Sequence, residues 1–202
     1  YARLHGHRGQ NPESEIAEIR RDIILAEQTG CRYHVCHVSV AAGLDLVRKG
    51  KERGVDVSCE TGPHYIVLDD SKLLEEGRFK MNPPLRKASD MEAMVQGILD
   101  GSIDCVVTDH APHAKHEKDC EWEIAFFGTI GLETSLPLML TNLVLPGKMS
   151  WNRLVEVMAI NPRRRFGIPG GSLSDGAPAD IAIIDPDARY TIDASTFRSM
   201  GH

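Results

Sequence analysis

The sequence predicts an α/β protein built on a parallel sheet, and two observations carry that prediction. Short apolar, β-branched runs alternate with helix-length amphipathic segments, and capping or turn residues stand at nearly every junction. The run at residues 103–107 then opens into Thr108-Asp109-His110-Ala111-Pro112-His113, where proline ends regular structure and ionisable side chains gather. A carboxylate at the carboxyl end of a buried strand, with histidines on the following loop, suits metal-assisted proton transfer.

Composition bounds the answer. The chain has 202 residues, 42% of them hydrophobic and 26% charged, in the range of a globular protein with a substantial core. A formal charge of −6 argues against a nucleic-acid surface, and the basic triplet Arg163-Arg164-Arg165 reads as a solvated helix end. No apolar run approaches the ~18 residues of a membrane span. The five cysteines form no C-x-x-C pair and read as small core residues of a reduced, cytoplasmic protein.

Taken in order, residues 1–10 read as loop. Asn11-Pro12-Glu13 then supplies an N-cap, a proline at the first helical position and an acidic first turn. Ile16, Ile19, Ile23 and Ala26 make one apolar face, and Gly30 stops the helix. A strand over residues 33–38, a helix over 41–53 and a second strand over 55–60 follow. Ser89 with Glu92 resembles a capping box for a helix running to Leu99, ahead of the third strand at 103–107. A long loop spans residues 113–128, and apolar helices are expected near 132–143 and 150–160. Beyond Pro162 the composition turns to Gly and Pro, with β-type runs at 180–185 and 189–192. We therefore expect two units, residues 1–165 and 166–202, the second a partial β-sandwich module. A chain opening in a loop before a capped helix also reads as cut from something longer.

Three stretches carry the chemistry. Alternation along the first strand puts Tyr33, Val35 and His37 on one face and His34 and Cys36 on the other. In a barrel with helices outside, His37 at the strand's carboxyl end would reach the mouth, or simply cap the strand. Glu60-Thr61-Gly62-Pro63-His64 ends the next strand. Asn82-Pro83-Pro84-Leu85-Arg86 sets an amide beside a rigid double proline and a guanidinium, suited to a small polar substrate or to a stiff loop.

HVCHVS, CETGPHY, KMNPPLR and TDHAPH, in this order, resemble the cyclic amidohydrolases, and among them the dihydroorotases. The resemblance covers nearly the whole chain. It implies the second half of a (β/α)8 TIM barrel of metal-dependent hydrolase type, running into part of the β module. It implies zinc, as one or two ions, with His37 as a ligand and Asp109 as both ligand and proton shuttle. Asn82, His113 and the backbone at Phe127 and Gly128 would bind a small-molecule substrate. His64 would lie near the site without being a ligand, and Arg86 and His110 would support loops. The implied reaction interconverts dihydroorotate and N-carbamoyl-L-aspartate in pyrimidine biosynthesis, with no nucleic-acid or membrane partner and with a homo-oligomer left open.

Asn82 together with His113 favours dihydroorotase over hydantoinase- or allantoinase-like relatives. An inactive scaffold homologue is the alternative from another class, and keeping all four of His37, Asn82, Asp109 and His113 speaks against it. The family's His-x-His pair, its bridging carboxylate or carboxylated lysine and its fifth-strand histidine have no counterpart here. The remaining ligands are therefore expected outside this chain. His5-Gly6-His7 has the letters of the pair but no strand before it.

Overall fold

A computed structural model describes residues 1–201. Its elements run in the order α1 (Ala2–His5), α2 (Pro12–Thr29), β1 (Tyr33–Val35), α3 (Ala41–Glu52), β2 (Val57–Thr61) and α4 (His64–Val67). They continue with α5 (Ala88–Asp100), β3 (Cys105–Val106), α6 (Lys115–Lys118), α7 (Ser135–Met139), α8 (Trp151–Val155) and α9 (Asn161–Phe166). The strands form one parallel sheet in the order β1-β2-β3. Tyr33 stands opposite Val57, and Glu60 opposite Cys105. Parallel pairing places the carboxyl ends of all three strands along one edge, with α3 and α5 as the crossovers.

The helix signals hold where the capping chemistry is complete. The Asn11 side chain accepts from the Glu13 amide at 3.0 Å, Pro12 opens α2, and Gly30 closes it in the left-handed region at φ 68°. Three glycines then let layers approach. A Cβ at Gly43 would meet Ile19, one at Gly50 would meet Ile23 and Val57, and one at Gly97 would meet Leu44 and Ile103. The core these contacts close includes Leu44, Val47, Met94, Ile98 and Ile103, packed on Val35, Val57, Cys59 and Val106. Each such side chain contributes about 1.5–3 kcal/mol through burial.

Several expectations are corrected. Residues 2–5 form a helical turn, ended by Gly6 in the left-handed region, where a loop was expected. Ser89 does not cap α5: the helix starts at Ala88 with Lys87 as N-cap and no side-chain capping bond. Just upstream, the Arg86 carbonyl accepts from Asp70 and its side chain is buried, and the chain enters the helix two residues earlier than a Ser89 cap would set. Instead Asp90 caps a neighbour, accepting from the Ala41 amide that opens α3. The two apolar helices form near the expected places, α7 three residues later than expected at Ser135, and widen into π-turns, at Leu140–Val144 after α7 and at Glu156–Ile160 after α8.

The β runs at 180–185 and 189–192 form no strands among the described residues, and Ile183 is 96% exposed. A strand exists through ladder bonds to a neighbour, and no neighbour pairs with these runs.

The alternation argument for His37 also fails. The face bearing Tyr33 and Val35 packs on helices: Val35 lies in the core with Ile19, Ile23 and Leu44, and the Tyr33 hydroxyl reaches Asp22 of α2. The opposite face is polar. There the His34 ring bridges Ser58 Oγ at 2.6 Å and Glu60 Oε2 at 2.9 Å. β1 ends at Val35, so strand geometry no longer governs His37.

Candidate functional site

The site begins where the backbone leaves the sheet. Among the described residues, His37 at φ 38° and Asp109 at φ 47° are the two non-glycine residues with positive φ. Such backbone is costly for a residue with a Cβ and persists where its surroundings enforce it. The enforcing bonds are visible. The Val38 amide donates to the Glu60 carbonyl at 2.8 Å, Thr61 Oγ1 donates to the Val38 carbonyl at 2.8 Å, and the Val107 amide donates to the Thr61 carbonyl at 3.0 Å. Three loops are thus stitched together at the carboxyl edge of the sheet.

His64 sits within that edge. It is 8% exposed, and its Nε2 has no hydrogen-bond partner. Burial, with the neighbouring His37 adding to it, pushes its pKa down to about 4, so its ring is neutral. Gly62 makes room for the imidazole, because a Cβ there would collide with it. An orphaned buried nitrogen is uncommon and asks for a partner. The motif placed His64 near the site; its unsatisfied nitrogen makes it a stronger candidate than the sequence indicated, and the glycine two residues earlier is the signal.

The charge of Asp109 reaches two neighbours. It helps raise the pKa of the Cys36 thiol, after burial and Glu60, and that of the Tyr65 hydroxyl, after burial. Tyr65 in turn donates to the Pro83 carbonyl at 2.5 Å, tying the second strand's loop to the one bearing Asn82. Asn82 is exposed between the buried Met81 and Pro83, and it lines one hollow together with Cys36, His37 and Arg86.

Arg86 holds this arrangement from beneath. It is 9% exposed and donates to Ser39 Oγ, to the Gln10 carbonyl and to Glu15 Oε2. Glu15 also accepts from the amide and the hydroxyl of Ser39. A buried guanidinium and a partly buried carboxylate thereby join the loop after His37 to the one after Asn82, a supporting role.

His113, Phe127 and Gly128 form a second group. His113 stacks on Phe126, with ring centroids 5.3 Å apart. The Gly128 amide donates to the Lys80 carbonyl at 3.0 Å, two residues from Asn82. Gly128 has φ 152°, and a Cβ would strike the Ala111 carbonyl and the His113 ring. His110 is structural, accepting through Nδ1 from the Gly131 amide at 3.1 Å. His5 and His7 pair with Glu75, and His7 also with Glu123, away from the strand ends.

Among the described residues, no three His, Cys, Asp or Glu side chains converge as a metal-holding cluster. The residues present nevertheless fit a metal: an imidazole and a carboxylate on enforced backbone, beside a buried imidazole nitrogen lacking a partner. No described helix is long and apolar enough to cross a membrane.

Comparison with known proteins identifies the family. The amidohydrolase family profile matches residues 2–201. The dihydroorotase of Brevibacillus brevis is 46% identical over 202 residues, covering 99% of this chain and 47% of that protein. The dihydroorotase of Bacillus caldolyticus is 44% identical, covering 100% and 47%. The chain thus spans about half the length of these curated relatives. Among solved structures, the L-hydantoinase of Arthrobacter aurescens superposes with a TM-score of 0.87 at 38% identity, covering 95% of this chain and 44% of that one. A D-hydantoinase from Thermus sp. gives 0.85 at 26%, covering 96% and 46%.

Proposed function

The chain belongs to the amidohydrolase family, and we propose that it forms part of a dihydroorotase, a zinc-dependent cyclic amidohydrolase. The observation that carries the site is the coincidence of strained backbone with chemistry: the two non-glycine residues at positive φ among the described residues are the ones expected as ligands, His37 and Asp109. Residues 1–165 supply part of the barrel, and residues 166–202 belong to a second unit.

His37 and Asp109 would hold the zinc, which when bound would supply Lewis acidity toward a water and a carbonyl. Asp109 accepts the proton from the attacking water and delivers it to the departing ring nitrogen as the amide opens, and the same path reversed closes the ring. Asn82 and His113 orient the carboxylate and ring groups, and the Phe127-Gly128 backbone borders the substrate. Orientation of this kind replaces an entropic barrier with fixed geometry. Tyr65, which feels the Asp109 charge, is buried, so charge on that side is weakly screened.

A second reading, a hydantoinase-like enzyme acting on another cyclic amide, has the superposition on the Arthrobacter protein in its favour. Turnover of the purified full-length protein with dihydroorotate, hydantoin and allantoin separates the two. Ring opening of dihydroorotate, and cyclisation of N-carbamoyl-L-aspartate, are expected. Activity on hydantoin alone would move the assignment to the second reading.

A further inference from the structure

Lys118 lies on the loop spanning residues 113–128, and it turns inward. Its ammonium donates to three backbone carbonyls, those of Lys80 at 2.9 Å, Phe126 at 2.8 Å and Gly128 at 2.8 Å. An ammonium has three N–H groups, so all of its donors are spent on the main chain. The acceptors come from two separate segments. One leads through Met81 into Asn82; the other brackets Phe127 and Gly128.

The surroundings are built to receive this contact. Gly77 lies so close to the Lys118 carbonyl that a Cβ there would collide with it. Lys80, itself buried, donates through Nζ to the Trp122 and Glu123 carbonyls at 2.7 and 2.9 Å and lies 4.8 Å from the Phe127 ring centroid. The Gly128 amide closes the arrangement by donating to the Lys80 carbonyl. Holding a second cation here is costly: burial, with Lys80 adding to it, pushes the Lys118 pKa down to about 8.

We propose that Lys118 is a positioning residue for substrate, its ammonium fixing the Phe127-Gly128 backbone relative to Asn82. The proposal rests on the reading that these groups bind the cyclic amide. With the Phe126 and Gly128 carbonyls drawn toward Lys118, the peptide groups between them are held in one orientation. A substrate spanning Asn82 and that backbone then meets both at a set separation. The sequence shows Lys118 only as one charge among several on a polar loop.

The test uses the full-length enzyme with Lys118→Met, which keeps the length and loses the donors, and Lys118→Arg, which keeps the charge. Lys115→Met, on the exposed side of the same short helix, is the control. For Lys118→Met, KM for dihydroorotate should rise at least about tenfold, the scale of one lost charge-assisted bond, with kcat changing less than about threefold. Amide exchange at Gly128 should accelerate in the same variant. Lys118→Arg should fold and give an intermediate KM, which keeps the question open to measurement if the methionine variant does not fold. An unchanged KM, or a loss confined to kcat and thermal stability, overturns the proposal. If the wild type opens hydantoin and not dihydroorotate, the substrate reading fails and the same KM comparison on hydantoin decides the role of Lys118.

Discussion

The His113 imidazole donates through Nε2 to the Phe127 carbonyl oxygen across 2.8 Å, joining the two ends of the loop. A carbonyl only accepts, so the proton is on Nε2, and Nδ1 stays available, 3.7 Å from the Glu117 carboxylate. The loop is therefore pinned at both ends before any substrate arrives. Its middle, residues 119–124, is tied by the Lys80 ammonium to the Trp122 and Glu123 carbonyls, by the exposed Glu123 to His7 pair and by a turn from Glu121. Loops of this length inside compact domains are often lids. Hydrogen exchange on the full-length protein should show that dihydroorotate increases protection across residues 114–121 while Gly128 stays protected throughout. Equal protection of 114–121 in both states would make His113 a static contact.

Asp109→Asn preserves shape and removes the proton acceptor. Turnover should fall at least ~100-fold, the low end for losing a general base, with circular dichroism unchanged. Near-normal turnover would remove Asp109 from the mechanism.

His37→Ala should weaken zinc binding by at least ~10-fold, since even an outer partner of a ligand is worth that much. Gly62→Ala, which forces the His64 ring aside, should lower metal content less but measurably. Metal analysis after dialysis reads both, and full retention in His37→Ala would exclude it as a ligand.

Arg86→Met strands the Glu15 carboxylate, whose side chain is only 14% exposed. Breaking a buried pair from one side costs about 3–5 kcal/mol, so unfolding should shift by roughly that amount. Arg86→Met with Glu15→Gln should recover part of the loss, because no charge is then left unpaired. A shift below about 1 kcal/mol in the single variant would mean the network carries little stability.

Lys118 gives a pH dependence with a definite sign. Its pKa falls from 10.5 to about 8 on folding. Between those values the unfolded chain binds more protons than the folded one, so this group's contribution to stability rises with pH. The stability of wild type relative to Lys118→Met should therefore increase from about pH 7 to about pH 9.5, followed by chemical denaturation. A difference that shrinks over that window would mean the ammonium is stabilised by its three carbonyls beyond its desolvation cost.

Local chemistry was legible in the sequence because it is local. Asn11 and Gly30 bound α2 through bonds to residues two and four positions away, and the βα rhythm followed from apolar spacing. The site residues could be named because HVCHVS, KMNPPLR and TDHAPH are contiguous. What failed depended on partners remote in sequence. The apolar runs at 180–185 and 189–192 have strand composition, but ladder bonds need a neighbouring strand.

The sequence by itself determined that helices and short parallel strands alternate, and which histidines, asparagine and aspartate stand on the loops that follow the strands. Only the tertiary structure decided where they point. Alternation would put His37 on the face of Val35, which packs on α2 and α3; β1 ends at Val35 and the chain turns through positive φ at His37, so alternation no longer sets its direction. The inward turn of Lys118 was likewise invisible, since its acceptors lie up to 38 residues away. A lysine in a polar run looks solvated until folding brings three carbonyls to one point, where burial and hydrogen bonding outweigh hydration.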